Sequence, residues 1–388
     1  MSSQSIVSPD DQKVTFVELF FDLVFVFCVT QVVGLLHDGF GWVPVGRAVL
    51  VFWLVWWGWT QFTWALNAAD TTHHLVGLGT LAATAIAFFM AVAIPDAFDG
   101  RPERFAVPYV LIRGVGLTLY GWVAAAAHPS QHAAVRRFSL VSLGGLAAVL
   151  LGGLAGGQTQ YLLWGLAIFL DVIAAGVGGQ QDGWNLHPEH FAERHGLFVI
   201  IALGESLIVA AGGVTGDAWT RDRLLVAVLA VAVTCALWWT YFVRAKPRLD
   251  HALESVSGTA RSTMARDVFS LIHFPMLCGV IAYAAAIGDA IAHPGEPLTP
   301  PVRIGLATGL TLFLGGMAFA TWRACGSVPG RRLAVTAVMS AALVAWAPAP
   351  AASLGLALAG VAAIAALEQG NGGFEAAAPN AAGTGTRS

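Results

Sequence analysis

The sequence predicts an all-α integral membrane protein, a bundle of about twelve transmembrane helices with both termini in the cytoplasm. Of its 388 residues, 57% are hydrophobic and only 11% are charged, whereas roughly a quarter of the residues in a soluble domain are charged. Apolar runs of about 20 residues, the length that crosses a bilayer as a helix, recur from residue 16 to residue 368. Lysine and arginine are concentrated in alternate loops, which predicts that those loops face the cytoplasm.

Charged or Pro/Gly-rich breaks divide the apolar stretch into individual spans. The predicted spans lie near residues 17–36, 47–66, 75–94, 105–126, 138–157, 160–177, 190–212, 223–243, 268–290, 302–322, 333–347 and 352–367. The last two are short and rich in alanine, so ten or eleven spans are an alternative. We therefore predict a cytoplasmic segment over 1–15, one helical transmembrane domain over 16–368, and a disordered tail over 369–388, where glycine, alanine, asparagine and threonine predominate.

Composition and motifs exclude several classes of function. The net charge is −3, and the basic groupings are short loop clusters, so membrane lipids rather than nucleic acid are the expected partners. The chain has no Walker loop, GxSxG or CxxC motif, and no cofactor is predicted. His190 and Glu193 have the i, i+3 spacing of some metal sites in helix bundles. Without HExxH or a nearby cysteine, a metal-free cluster at the membrane surface is the favoured interpretation.

Ionisable side chains inside the spans are the main candidates for chemistry, because each one is costly in a bilayer. Glu18 and Asp22 are four residues apart in VELFFDLVFVF, which puts both carboxylates on one helix face. Two acids so close favour proton uptake by at least one of them, as a proton-carrying site requires. The alternative for Glu18 is an interfacial acid that interacts favourably with the start of the helix.

The heights of the ionisable residues predict one polar layer near the cytoplasm. At a rise of 1.5 Å per residue, Asp22, Asp171 and His273 are all expected roughly 8–10 Å below the cytoplasmic surface of the membrane. Glu193, Arg194 and His195 begin the seventh span on the same side. We expect these residues to line one cavity that faces the cytoplasm.

Two further ionisable residues fall in the outer half of the membrane. Arg113 in the fourth span and Glu205 in the seventh span come out at similar heights. A buried arginine keeps its proton and requires an acidic partner. We therefore predict an intramembrane ion pair between Arg113 and Glu205.

Tryptophan is concentrated in the second span, in the run from Trp53 to Trp64. Tryptophans of membrane helices commonly form interfacial belts or fill packing gaps. That interpretation is favoured here, and an aromatic ligand site is the alternative.

Three segments of the sequence resemble the low temperature requirement A (LtrA) family of bacterial membrane proteins. They are VELFFDLVFVFCVTQV over 17–32, HFAERHGLFVIIALGESLI over 190–208, and the His-Phe-Pro-Met-Leu stretch over 273–277. The motif positions matched are Glu18, Asp22, Glu193, Arg194, Gly204, Glu205 and His273. The resemblance covers the chain to about residue 365. It implies a location in the bacterial cytoplasmic membrane and a link to growth at low temperature, and it implies no particular reaction.

Three classes of function remain open from the sequence. Carboxylates and a histidine inside several spans favour a transporter or channel-like protein, coupled to protons. The absence of visible repeats and of clearly Pro/Gly-broken paired helices counts against it. A membrane-embedded enzyme would use Glu193 with His195 or His273 as acid and base on a lipid or small molecule. A protein that senses or adapts to the state of the membrane, without transport, is the third possibility.

Overall fold

The computed structural model describes residues 5–9, 12–37, 39–127, 129–179, 186–213, 220–346 and 349–369. Within those residues the chain forms a bundle of twelve helices, and the predicted polytopic helical fold is confirmed. The predicted tail beyond residue 369 lies outside the described residues. The helices are α1 Phe16–Gly34, α2 Trp42–Ala68, α3 His74–Val92, α4 Glu103–Ala127, α5 Pro129–Ala155, α6 Gly157–Gly179, α7 Pro188–Gly212, α8 Arg221–Glu254, α9 Gly258–Ala292, α10 Pro300–Cys325, α11 Gly330–Ala345 and α12 Pro350–Gln369.

Eleven of these helices are long and apolar enough to cross a membrane, and α11 is the exception. With 16 residues, α11 extends about 24 Å, slightly less than the hydrocarbon layer. Arg303 at the start of α10 donates a hydrogen bond to the carbonyl oxygen of Val344 at the end of α11 (2.9 Å). At the start of α11, Arg332 pairs with Glu368 at the end of α12 (2.7 Å). Helix α11 therefore runs antiparallel along both neighbours and crosses the same layer, which supports twelve crossings.

Part of the N-terminal segment is attached to the end of α2. The Ser8 N–H donates to the carbonyl oxygen of Ala68 (3.0 Å), and the Asp70 N–H donates to that of Ile6 (2.8 Å). The Gln12 side chain donates to the carbonyl oxygen of Leu66 (3.0 Å). These bonds place the beginning of α1 and the end of α2 on one face of the bundle, which we call the N-terminal side and which the charge pattern assigns to the cytoplasm.

Two helices contain π-helical segments on this N-terminal side. The first is Thr240–Ala245 within α8, and the second is Ala265–Ile272 within α9. Each segment ends two or three residues before a proline, Pro247 and Pro275. A proline has no N–H to donate to the carbonyl four residues earlier, so the regular bonding pattern is interrupted there. Such π segments occur frequently at functional sites.

Helices α9 and α10 approach each other through a pair of glycines. A Cβ atom added to Gly279 would lie 2.5 Å from the carbonyl oxygen of Gly309, and one added to Gly309 would lie 2.8 Å from that of Gly279. Both obstructing atoms belong to the backbone, so no side chain can rotate away to make room. Small residues of this kind allow close packing of membrane helices.

Replacing Gly279 with alanine is therefore expected to destabilise the protein by about 1–3 kcal/mol, because the two backbones must separate. The measurement is the unfolding free energy of the detergent-solubilised protein. Gly315→Ala in α10 is the matched control, because a Cβ atom there has no atom within 4 Å. Equal stability of the two variants would contradict the close approach.

Candidate functional site

A network of buried charges joins α1 to α7 on the N-terminal side. The guanidinium of Arg194 lies between the two acids of α1, pairing with Asp22 and lying 3.4 Å from Glu18. All three side chains are almost completely inaccessible. Two acids on one face of α1 therefore meet the basic residue of α7, and we call Glu18, Asp22, His190 and Arg194 the ionic network.

Glu18 is surrounded by hydrogen-bond donors. The N–H and hydroxyl of Thr15 donate to its Oε1 atom (3.0 and 2.9 Å) as part of the N-terminal cap of α1. The His190 Nε2 atom lies 3.0 Å from Oε2. Three donors around one carboxyl group stabilise the ionised form of Glu18.

Asp22 has fewer partners than Glu18. Its Oδ1 atom accepts hydrogen bonds from Arg194 and from the indole N–H of Trp59, the latter at 2.7 Å. Its Oδ2 atom is buried and has no hydrogen-bond partner. Trp59 also lies under the guanidinium of Arg194, whose carbon is 5.5 Å from the ring centroid, so the ring contacts both members of the pair.

The orientation of Asn67 selects one tautomer of His190. The Asn67 side chain accepts from the N–H of His187 (2.9 Å) and donates to the carbonyl oxygen of the same residue (3.0 Å). Its amide nitrogen therefore faces the Nδ1 atom of His190, 3.1 Å away, and Nδ1 can accept a hydrogen bond from it. In that arrangement the Nε2 atom of His190 carries a proton that is directed at Glu18.

The net charge of the network depends on how many protons it holds. If both acids are ionised and His190 is neutral, one arginine opposes two carboxylates. A buried site with an uncompensated charge is costly, and binding of one proton by an acid or by His190 removes that cost.

A second group of buried polar residues adjoins the network. His273 directs Nδ1 at the carbonyl oxygen of Val268 (2.8 Å), and its Nε2 atom lies 2.8 Å from the Tyr241 hydroxyl. The rings of His195 and His273 are 5.8 Å apart between centroids, and that of His195 is 5.1 Å from Trp59. The Nε2 atom of His195 has no hydrogen-bond partner. Tyr241 belongs to one π segment and His273 follows the other, so this contact joins the two irregular helices.

The predicted ion pair between Arg113 and Glu205 is wrong. Arg113 contacts Asp171 instead, with its Nη2 atom 3.2 Å from Oδ1 and both side chains buried. Its Nη1 atom also donates to the Tyr109 hydroxyl (2.7 Å). Height along a helix does not specify which face a residue occupies, and Asp171 on α6 lies on the face that meets α4. Glu205 instead contacts Thr30 on α1.

The predicted single layer is divided in two by α2. Asp22 contacts Trp59, whereas Asp171 interacts at longer range with the indoles of Trp53 and Trp57. Residues 57 and 59 point to nearly opposite sides of a helix. Asp22 and His273 therefore lie on one side of α2, in two adjoining groups, and Asp171 lies on the far side of α2.

The remaining predicted site residue, Glu193, is exposed and outside the ionic network. The acid/base pairing of Glu193 with His195 or His273, considered for an enzyme, stays a prediction. Sequence reasoning missed Trp59 and Asn67, and it considered His190 only as a metal ligand. Within the described ranges, no group of three or more His, Cys, Asp or Glu side chains could hold a metal ion. A signal for His190 was available, since it precedes Arg194 by one turn on the same face.

An apolar cavity of about 550 Å³ lies in the half of the bundle away from the network. It is lined by α1, α2, α9 and α10 and is partly open to the outside of the bundle, and its lining includes Val32, Phe52, Ile281 and Leu312. None of Asp22, Asp171 and His273 is among its lining residues. Helix α1 therefore carries both cavity residues and, further toward the N-terminal side, Glu18 and Asp22 of the ionic network, while α2 carries cavity residues and Trp59, which contacts Asp22.

These features define a multi-pass helical membrane protein with ionisable side chains grouped inside the bundle. The chain belongs to the family of the bacterial low temperature requirement A protein (LtrA), whose profile matches residues 13–367. It is also similar to the uncharacterized protein RA0937 of Rhizobium meliloti (strain 1021), with 29% identity over 316 residues that cover 79% of this chain and 76% of the relative. No solved structure matches.

Proposed function

We propose that this protein is a proton-coupled transporter of the bacterial cytoplasmic membrane, and that the ionic network holds the coupling proton. The observation that carries the proposal is the composition of the network, in which one arginine and one histidine face two buried acids. Buried acids and histidines grouped in this way within membrane helices are typical of proton relays.

Two other features support transport rather than a purely structural role for these charges. The apolar cavity has the size of a small-molecule site, and it lies in the opposite half of the bundle from the ionic network, with α1 contributing to both. The two π segments meet at the contact between Tyr241 and His273. Interrupted helices are common in secondary transporters. A hydrophobic small molecule is the solute that suits this lining.

The proposal predicts that the purified protein in liposomes carries protons across the membrane when a membrane potential is imposed. The assay is run without added solute and with added mixtures of small apolar solutes. Entrapped pH-sensitive dye measures the flux. Asp22→Asn imitates the protonated acid permanently, so its flux should fall to that of protein-free liposomes.

Glu193→Gln is the matched control, because it removes an acid from the same side of the bundle but outside the network. Its flux should equal that of the unaltered protein. Wild-type flux indistinguishable from protein-free liposomes under every condition would contradict the proposal, as would full flux in the Asp22→Asn variant.

A further inference from the structure

Glu205 is a buried acid that the ionic network does not include. It lies on α7 eleven residues beyond Arg194, which is about 16 Å along the axis. Only 1% of its surface is accessible. Its Oε2 atom lies 2.5 Å from the Thr30 hydroxyl on α1. Among the described residues no ion pair includes Glu205, and its predicted partner Arg113 is paired with Asp171.

The hydrogen bonds of Thr30 indicate where the proton is. The Thr30 hydroxyl also lies 3.2 Å from the carbonyl oxygen of Val26, which can only accept. A threonine has one hydroxyl proton, so an ionised Glu205 would compete with Val26 for it. If Glu205 carries a proton, it donates to Thr30 and Thr30 donates to Val26, and every group is satisfied.

The surroundings favour the same state. Glu205 faces the interior of the bundle, whereas Leu207 and Ile208, two and three residues later, are exposed on the outside of α7 at the same height in the apolar layer. An ionised carboxylate without a counter-charge costs a few kcal/mol or more in such a place. The bound proton removes that charge at no loss of hydrogen bonding.

The geometry points to Glu205 as a second proton-binding site, a neutral carboxylic acid held by Thr30 in the half of the bundle away from the ionic network. The same two helices carry both sites, Asp22 with Arg194 at one level and Thr30 with Glu205 at the other. The inference that Glu205 lies on a proton route rests on the proposed function. The inference that Glu205 carries a proton is independent of that function.

Infrared difference spectroscopy of the full-length protein in lipid at neutral pH tests for the proton directly. A protonated carboxyl has a C=O stretching band that the carboxylate lacks. Subtracting the spectrum of Glu205→Gln from that of the wild type should leave this band. Thr30→Val should shift the band, because the hydroxyl that accepts from the acid is removed. A difference spectrum with a carboxylate band instead would overturn the assignment.

Proton flux in liposomes then tests the route. Loss of flux in Glu205→Gln, together with the carboxylic acid band, supports a second site on the pathway. Unchanged flux in that variant beside an active wild type would overturn the role in the route. If the wild type itself carries no protons while the band is present, the transport proposal fails and the proton site stands.

Discussion

Replacing Arg194 with leucine is expected to prevent most of the protein from reaching its folded, detergent-extractable form. The change leaves the carboxylates of Glu18 and Asp22 buried beside each other without a cation. Removing one member of a buried ion pair costs about 3–5 kcal/mol, a large part of the 5–15 kcal/mol that stabilises a typical protein. The measurement is the monodisperse fraction after extraction, determined by size-exclusion chromatography, together with the thermal unfolding midpoint.

Two comparisons separate this charge effect from a simple loss of packing. Adding Glu18→Gln and Asp22→Asn to the Arg194→Leu chain should restore much of the folded yield, because no buried charge remains. Arg136→Leu removes an exposed arginine from α5 and should leave the yield unchanged. If Arg194→Leu were folded as well as Arg136→Leu, Arg194 would not be the counter-ion of the two acids.

The spans could be predicted from the sequence because the length of an apolar run is a local property. Each predicted span overlaps one observed helix, including the short α11. The pairing of Arg194 with the acids of α1 was accessible in the same way, because all of these residues lie near helix ends on one side. The order of the helices and the short loops between them then allow few folds in which Arg194 and the acids of α1 lie at different heights in the membrane.

The partner of Arg113 could not be predicted from height alone. Height is set by residue number, whereas the direction of a side chain around the helix and the choice of neighbouring helix are set by packing. Asp171 and Glu205 lie on different helices, and only the packing of α6 against α4 brings one of them to Arg113. The division by α2 has the same cause, since Trp57 and Trp59 differ by two residues and face opposite directions.

The tryptophans of α2 follow the packing part of their favoured interpretation. Trp53, Trp56, Trp57 and Trp59 are buried within the bundle and do not form an interfacial belt. Trp59 donates to Asp22 and Trp56 donates to the carbonyl oxygen of Ser270, so they satisfy buried polar groups as well as fill space. The local amino-acid composition cannot distinguish a tryptophan of an interfacial belt from one that packs inside the bundle, because both positions favour a large side chain with one hydrogen-bond donor.

The second large effect is expected at the pair of Arg113 and Asp171. Arg113→Leu and Asp171→Leu should each destabilise the protein by about 3–5 kcal/mol, because each leaves a lone charge in the interior. The variant with both changes should lose much less than the sum of the two. The measurement is a double-mutant cycle of unfolding free energies in mixed micelles, monitored by tryptophan fluorescence.

A second cycle with Arg113→Leu and Glu205→Leu shows whether the coupling is specific. Residues without a shared partner usually give additive changes, within about 0.5 kcal/mol, so this cycle should show no coupling. Glu205→Leu alone should also be milder than Asp171→Leu, because it removes an acid that has no arginine partner and leaves the Thr30 hydroxyl without one donor. That hydroxyl keeps its own hydrogen bond to the carbonyl oxygen of Val26. Strong coupling between Arg113 and Glu205, with additivity between Arg113 and Asp171, would reverse the assignment and return Glu205 to the role of counter-ion.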